Sequence, residues 1–383
     1  MNKKVFLGIC LILSGMPILS QNETQGKGSL HTVVLQLPPG DNNPRNSEGD
    51  FITLKDGRIL FIYSHFTGRS GSDFGSAYLA GRFSKDGGKT WTNEDIVVVE
   101  NEGEQNVMSV SLLRLQNGNI ALFYARKNSI HDCIPMMRIS TDEARTWSSP
   151  ITCITDQNEY YVLNNNRVIQ LKNGRLLMPV ALHQTPKGSG ESNFNGRGRL
   201  FVYYSDDNGA TWKRSGEVSN PLDVVAQEPG VIELKDGTVM MFIRADGGFQ
   251  QFSYSKDKGQ TWTPMVAGNL PSPLSPASIS RIPSTKDLLV VWNNNDGSNP
   301  QIKGKRTPLT VAISKDEGKT WINITDVETD PGGWYCYIAI HFTKKDVLLS
   351  YCTGPPHHNN LSVTNVMLIR QKDLYRKKIH PSK

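Results

Sequence analysis

The chain has 383 residues, of which 37% are hydrophobic and 20% are charged, and its formal net charge at pH 7 is +6. This length is large for one ordinary core but suits a barrel or a repeat architecture. The small positive charge fits an anionic ligand, and the exported character described next argues against nucleic acid as a partner.

Residues 1–20 predict a secretory signal peptide. Lys3 and Lys4 form a positive N-terminal region, an apolar stretch follows, and Ser20 is a small residue before a cleavage point. The apolar stretch is too short for a membrane anchor and is interrupted by glycine and proline. We therefore expect a mature domain over residues 21–383 that is periplasmic or secreted and is not inserted in a membrane.

Six short segments each consist of two apolar runs joined by a turn. In the first four, Asp-Gly or Asn-Gly between the runs is a strong hairpin signal, and the last two are degenerate copies. The segments span residues 51–63, 112–124, 168–180, 231–243, 279–292 and 338–351. Each predicts a β-hairpin, whereas no helical periodicity of useful length occurs.

An octet of pattern Ser-x-Asp-x-Gly-x-Thr-Trp alternates with these hairpins. It occurs at residues 84–91, 140–147, 205–212, 255–262 and 314–321. Aspartate and glycine suit a tight turn, and the tryptophan supplies a large apolar anchor. The octets are therefore predicted to be structural. Ala144, which replaces the glycine of the second octet, predicts a strained or altered turn.

The octet tryptophans recur every 50 to 65 residues, a period typical of propellers. Six hairpins and five octets predict an all-β fold, a six-bladed β-propeller with Asp-box repeats and four strands in each blade. The last blade lacks an octet. We expect the strand over residues 31–37 to complete it and close the ring.

Functional residues are expected where the repeats differ. The start of each inner strand lies eight residues before the turn residue, and polar side chains dominate there. These positions hold Glu48, Ser109, Asn165, Glu228, Ser278 and Cys336. Polar strand starts that meet at one mouth predict a small-molecule site, although a water-filled channel would give the same pattern.

Three arginines come from different predicted blades. Arg244 ends an apolar strand, Arg306 precedes the strand of the last octet, and Arg45 precedes the first hairpin. Guanidinium groups bind carboxylates through two parallel hydrogen bonds, so these arginines predict an anionic substrate. A salt bridge between Arg45 and Glu48 is the alternative for the first of them.

The octets resemble the Asp boxes of sialidases, and the resemblance covers nearly the whole mature chain. Four further segments resemble sialidase sequences: residues 71–88, 228–244, 306–321 and 334–340. The resemblance implies an exo-sialidase that releases terminal sialic acid from glycans with retention and needs no metal or other cofactor. It implies that Tyr335 is the nucleophile, that Glu228 accepts its proton and that Asp73 is the acid/base. The implied carboxylate-binding residues are Arg45, Arg244 and Arg306.

The surroundings of Arg45 depart from the sialidase pattern. Sialidases carry Arg-Ile-Pro at this place, whereas here Asn-Ser-Glu follows the arginine and adds Glu48. Arg167 is a rival for the third carboxylate-binding position. The departure leaves open a hydrolase of another ulosonic acid, such as Kdo. A glycan-binding propeller without catalysis and a protein-interaction propeller also remain open, but Tyr335 together with Glu228 favours the enzyme.

Four cysteines remain after the signal peptide: Cys133, Cys153, Cys336 and Cys352. Export permits two disulfides, Cys133–Cys153 and Cys336–Cys352, and four buried thiols are the alternative. Their spacing does not fit a zinc site, so no bound metal is expected.

Overall fold

The computed structural model describes residues 30–156, 159–354 and 360–376. These residues form an all-β protein, in which the helical elements are two short 3-10 turns, Glu191–Asn193 and Gln371–Tyr375. The predicted signal peptide lies outside the described residues. In the ranges given above, no helix has the length and apolar character needed to cross a membrane.

The strands follow one another in groups that each contain one predicted hairpin. They are β1 His31–Leu37; β2 Asn46–Thr53, β3 Ile59–Phe66, β4 Ala77–Ser84 and β5 Ile96–Val99; β6 Asn106–Arg114, β7 Ile120–Ser129, β8 Asp132–Ser140 and β9 Ile151–Thr152; β10 Tyr160–Val162, β11 Ile169–Gln170, β12 Leu176–His183, β13 Gly198–Ser205 and β14 Lys213–Arg214; β15 Ala226–Glu233, β16 Val239–Ala245, β17 Phe249–Ser255 and β18 Val266–Pro271; β19 Ser278–Arg281, β20 Leu288–Trp292, β21 Leu309–Ser314 and β22 Ile322–Glu328; and β23 Cys336–Phe342, β24 Asp346–Thr353 and β25 Val363–Arg370. All six predicted hairpins are confirmed as antiparallel pairs.

Within each group the strands pair with their neighbours in chain order. The third group is irregular, because β10 and β11 both pair with β12. Short parallel bridges, β4 with β6 and β8 with β10, join the first three groups into one sheet. The first group therefore runs from β2 to β5, the second from β6 to β9, the third from β10 to β14, the fourth from β15 to β18, the fifth from β19 to β22, and the sixth from β23 to β25.

The N-terminal strand completes the sixth group, as the sequence indicated. β1 pairs with β25 in antiparallel register from His31–Ile369 to Leu37–Thr364. The sheet order is thus β1-β25-β24-β23, with the first and last strands of the chain side by side. The first strand of the sixth group, β23, also contacts β2 of the first group.

Four first strands carry the same irregularity near their start. In β2, β6, β15 and β23, one extra residue shifts the register, which is a β-bulge. The bulged residues Glu48, Ser109, Glu228 and Tyr337 have φ values of 49°, 63°, 43° and 56°, in the left-handed region. A non-glycine residue in this region costs roughly 1–3 kcal/mol, and such residues concentrate at functional sites.

The octets form the predicted turns, and their hydrogen bonds repeat closely. In the first, Thr90 donates to Asp86 through its amide at 2.9 Å and through its hydroxyl at 2.7 Å, and Ser84 donates to the same carboxylate at 2.9 Å. The other four octets hold their aspartates in the same way. Each aspartate thus closes its turn by satisfying local donors.

The second octet keeps this geometry despite Ala144. The amide of Ala144 still donates to the hydroxyl of Ser140 at 2.8 Å, as the glycine amides do elsewhere. Its φ is 61°, so an alanine occupies the left-handed region that glycine adopts in the other octets. The hydrogen bonding is therefore unaltered, and the substitution appears only as local backbone strain.

The octets also join neighbouring groups. A Cβ on Gly88 of the first group would lie 2.6 Å from Cδ1 of Leu348 in the sixth group, and one on Gly259 of the fourth would lie 2.9 Å from Leu177 in the third. The octet tryptophans pack at the edges of the apolar clusters that fill the space between groups; Trp91, for example, lies against Phe51 and Phe61. The core is therefore distributed between adjacent groups.

We expect Gly88→Ala to destabilise the protein by about 2–4 kcal/mol, because it adds both left-handed strain and a clash with Leu348. Gly57→Ala is the matched control, since Gly57 has a similar φ of 88° but no atom within 4 Å of the added Cβ. The control should lose only about 1 kcal/mol. Urea unfolding of both variants measures the difference; equal losses would mean that the octet does not pack tightly on the sixth group.

Candidate functional site

A cavity of about 580 Å³ opens where the bulged ends of the first strands meet. Its charged lining consists of three acids and three bases: Glu48, Asp73, Glu228, Lys127, Arg244 and Arg306. Aromatic and apolar side chains complete the wall: Met108, Tyr160, Val162, Leu163, Phe194, Trp334 and Tyr337. A concave space with a few convergent charges is the usual form of a small-molecule site.

The β-bulges position the polar lining. Glu48, Ser109, Glu228 and Tyr337 occupy equivalent places, each five residues before the last paired residue of its strand. All four line the cavity. Because the left-handed residue redirects its side chain out of the sheet alternation, one local distortion repeated in four groups brings these side chains together.

Tyr337 and Glu228 form the central pair of the site. The hydroxyl of Tyr337 donates to Oε1 of Glu228 at 3.4 Å, and Nη1 of Arg244 lies 2.7 Å from the same oxygen. The amide of Asn164 donates to the other carboxylate oxygen at 3.4 Å. Burial, followed by the charge of Glu228, raises the pKa of Tyr337. The phenol is therefore neutral, and the adjacent carboxylate is placed to accept its proton.

The tyrosine predicted from the sequence, Tyr335, does not line this cavity. Its ring packs edge-on against Tyr351 at 6.0 Å in the apolar cluster between the fifth and sixth groups. Its backbone amide donates to the carbonyl of Arg306 at 2.9 Å. The structure therefore corrects the position of the cavity tyrosine from 335 to 337.

Two sequence signals missed Tyr337: the resemblance matched Tyr335, and the count back from the last turn ended on Cys336. Between the last paired residues of the first group, Thr53 and Ile59, the turn has five residues, whereas between Phe342 and Val347 it has four. A count of eight residues back from the turn therefore goes one residue too far and ends on Cys336. A count from the paired residue would have identified Tyr337, but pairing is not visible in the sequence.

Arg306 lines the cavity and, like Lys127, has no carboxylate partner among the described residues. Its guanidinium lies 5.0 Å from the ring centre of Trp334 and 5.5 Å from that of Tyr337. It is 7% exposed, and its Nε has no hydrogen-bond partner in the described ranges. A buried cation of this kind is costly unless an anion binds to it.

Arg45 lies behind the cavity and is not among its lining residues. Its side chain is 1% exposed and forms ion pairs with Glu48 at 3.0 Å and with Asp73 at 2.5 Å. The hydroxyl of Ser109 donates to the second oxygen of Glu48. Burial raises the pKa of Glu48, and the charge of Arg45 opposes this effect.

Asp73 lies on the loop between β3 and β4, with its side chain 50% exposed toward the cavity. Burial alone would raise the pKa of Asp73, but Arg45 and then Lys127 lower it to about 2. Nζ of Lys127 donates to the carbonyl of Asp73 at 2.8 Å, and the amide of Asn106 donates to the same carbonyl at 2.9 Å. Hydrogen bonds from β6 and β7 therefore hold this loop in place.

Arg167, the predicted rival for a carboxylate-binding position, is absent from the cavity lining. Its guanidinium donates to the hydroxyl of Ser278 at 3.1 Å and to the carbonyl of Ala277 at 2.7 Å. Burial lowers the pKa of Arg167 to about 10. The side chain of Arg167 links the third group to the fifth, so its role in the free protein is to hold these groups together.

The sequence did not single out Lys127, His183 and Phe194, which also line the cavity. Nδ1 of His183 lies 2.9 Å from the carbonyl of Asn195, and burial lowers the pKa of this histidine. Phe194 contacts Tyr160 at 4.9 Å between ring centres. These residues occupy strand ends and a long loop without a repeated motif, so position along the repeat could not have identified them.

Cys133, Cys153, Cys336 and Cys352 are free and buried. Cys336 and Cys352 lie directly opposite each other on β23 and β24. Within the described ranges, no three His, Cys, Asp or Glu side chains are grouped so that they could hold a metal ion.

Comparison with known proteins relates this site to one family. The family described as BNR repeat-like domain matches residues 69–349. The chain is 24% identical over 328 residues to a sialidase of Bacteroides fragilis, which covers 76% of this chain and 56% of that protein. It is 27% identical over 253 residues to a sialidase of Clostridium perfringens, with 58% and 62% covered. The chain thus spans less than two thirds of either relative.

Among solved structures, the NanB sialidase of Streptococcus pneumoniae is similar in fold. The TM-score is 0.70 at 15% identity, and the similarity covers 90% of this chain and 71% of that one. An intramolecular trans-sialidase from Ruminococcus gnavus has a TM-score of 0.68 at 14% identity, with 89% and 98% covered. Because the family match covers most of the chain, the chain belongs to the family of proteins with BNR repeat-like domains.

Proposed function

We propose that the six strand groups are the blades of a closed six-bladed β-propeller. The pairing of β1 with β25 supports closure, as does the contact of β2 with both β6 and β23. The contacts of β19 with β15 and with β23 continue the same order. In this arrangement the first strands surround one axis, and their bulged ends form the mouth in which the cavity lies.

We propose that the protein is an exported exo-glycosidase that releases terminal sialic acid from glycans. The observation that carries this proposal is the hydrogen bond between Tyr337 and Glu228 beside the unpaired guanidinium of Arg306. The relatives named sialidases and the family match support the same reaction class. The carboxylate of the sugar would be the anion that pairs with Arg306.

The carboxylate on the anomeric carbon of sialic acid explains the residue types. It would bind Arg306 and Arg244, and this contact would fix the ring over Tyr337. A carboxylate nucleophile would be repelled by the substrate's own charge, whereas a neutral phenol would not, and sialidases are the glycosidases that use a tyrosine. The raised pKa of Tyr337 makes Glu228 necessary as its proton acceptor.

The reaction would proceed in two displacements with net retention. The oxygen of Tyr337 would form a bond to the anomeric carbon while its proton passes to Glu228 and the glycosidic bond breaks. Asp73 would give a proton to the leaving oxygen. In the second step Asp73, now a carboxylate, would take a proton from water as the water oxygen replaces the tyrosine, which recovers its proton from Glu228.

We expect Tyr337→Phe to abolish turnover of 4-methylumbelliferyl sialic acid, because the phenylalanine has no oxygen to form the intermediate. A loss of roughly 10³-fold or more in kcat is expected for removal of a nucleophile. Tyr335→Phe is the matched control, since that residue lies outside the cavity and should retain activity within about threefold.

Either of two results would contradict the assignment. Full activity in Tyr337→Phe would exclude it as the nucleophile, and inactivity in Tyr335→Phe would return the role to that residue. If wild type hydrolyses a Kdo glycoside but no sialoside, the chemistry stands and the substrate changes. Tight sialic acid binding without turnover would instead favour a glycan-binding propeller.

We expect Arg306→Met to weaken ligand binding while it leaves the stability of the protein almost unchanged. Loss of charge-assisted hydrogen bonds to the ligand carboxylate should weaken binding of free sialic acid by roughly 10- to 100-fold. The free energy of unfolding should change by less than about 1 kcal/mol, because no buried partner loses its counter-charge. Calorimetric titration and urea unfolding give the two quantities.

Arg281→Met is the control with the opposite pattern. Arg281 pairs with Glu317 through two bonds of 2.9 and 2.7 Å far from the cavity lining. Its loss should lower stability by about 1–3 kcal/mol and leave affinity for sialic acid unchanged. A large loss of stability without loss of affinity in Arg306→Met would show that this arginine is structural.

A further inference from the structure

The hydrogen bonds of Arg45 use all of its terminal N–H groups. Nη1 donates to the carbonyl of Gly71 at 3.3 Å and to Asp73 at 2.5 Å. Nη2 donates to the hydroxyl of Ser47 at 2.9 Å and to Glu48 at 3.0 Å. A guanidinium has five N–H donors, four of them on these two nitrogens. Arg45 therefore has no terminal donor left for a substrate carboxylate.

The fifth donor is also withdrawn from the cavity. Nε of Arg45 is buried and without a hydrogen-bond partner in the described ranges, and the guanidinium lies over the ring of Phe66 at 4.6 Å. Arg306 also has a buried Nε without a partner and lies over aromatic rings, but it lines the cavity and has no carboxylate partner in the described part of the chain. The two arginines thus offer a substrate very different access.

Arg45 instead holds the loop that carries Asp73. It contacts this loop twice, at the carbonyl of Gly71 and at the carboxylate of Asp73. Glu48 binds the other side of the guanidinium and prevents it from turning toward the cavity. The cation is thus shared between an acid fixed in β2 and an acid on the loop.

On the basis of the proposed function, we propose that Arg45 is a positioning residue for Asp73 and that Arg244 and Arg306 alone hold the substrate carboxylate. Arg45 orients the carboxylate of Asp73 and keeps it ionised in the free enzyme. This state suits the water-activating step. Proton donation to the leaving group then requires the substrate's negative charge to raise the affinity of Asp73 for a proton.

The charged and titratable groups around Asp73 come from several elements. They are Arg45, Glu48 on β2, Lys127 on β7, Tyr160 on β10 and Arg244 on β16. Of these, Arg45 makes the direct contact with the carboxylate, whereas Lys127 bonds the backbone carbonyl. Removing Arg45 should therefore change the titration of Asp73 more than any other single substitution in this set.

The test compares Glu48→Gln with the double variant Glu48→Gln/Arg45→Met. The glutamine removes the negative charge of Glu48, which would otherwise be left buried and unpaired when Arg45 is replaced. The comparison of the two variants therefore isolates the effect of Arg45. Free N-acetylneuraminic acid is the probe. The double variant should bind it within about threefold of Glu48→Gln, whereas Arg306→Met should lose roughly 10- to 100-fold. A loss in the double variant equal to that of Arg306→Met would overturn the proposal.

A second measurement needs no ligand and so separates this proposal from the proposed function. The pKa of Asp73 is followed by NMR of protein labelled with carbon-13 at the aspartate carboxyls, with Asp73→Asn to assign the signal. The pKa of Asp73 should be higher by about one unit or more in the double variant than in Glu48→Gln. An unchanged titration would refute the positioning role even if wild type binds no sialic acid. If the double variant does not fold, Arg45→Lys is used, since an ammonium cannot serve four acceptors.

Discussion

The site depends on one repeated backbone distortion. In four of the first strands a single extra residue adopts a positive φ, and the residue so placed is Glu48, Ser109, Glu228 or Tyr337. In a regular strand each of these side chains would follow the alternation of its neighbours between the two sheet faces, and the bulge releases it from that alternation. The cost of each left-handed residue must be offset elsewhere, and the octet turns, with their satisfied aspartates and their packing on the preceding group, supply rigid structure away from the cavity.

The balance of charges decides which side chains face a ligand. Arg45 is neutralised by two acids and Arg244 by Glu228, so each needs no further anion in the free protein. Arg306, like Lys127, lines the cavity without a carboxylate partner among the described residues. Because a buried cation without an ion pair is unfavourable, the position of Arg306 is one expected of a residue that binds an anion. Stability and binding thus make opposite demands on the same side chain.

Much of the fold was readable from the sequence, since turn dipeptides and octets act locally. Asp-Gly and Asn-Gly favour hairpins through backbone conformation, and they mark four of the six; the two degenerate copies were found by their paired apolar runs. The site was only partly readable. Tyr337 was missed because the resemblance matched Tyr335 and a four-residue turn displaced the count to Cys336. Arg167 was misplaced because its partners Ala277 and Ser278 are about a hundred residues away in the chain. Which partner a buried arginine finds is a property of packing between groups, and sequence patterns within one group do not encode it.

The protonation state of Asp73 connects its ion pair with Arg45 to the order of the proposed proton transfers. With its pKa at about 2, the free carboxylate is ionised at any pH at which the protein would work, so it begins as a base. A general acid is needed first, before the base, in a retaining displacement. If Asp73 is the acid of the proposed reaction, it would have to take up a proton as the anionic substrate binds, when a second negative charge beside it opposes its ionisation. Substrates with good leaving groups avoid this requirement, whereas natural glycosides do not. The ion pair with Arg45 is thus where binding of the correct, negatively charged sugar would be coupled to activation of the acid.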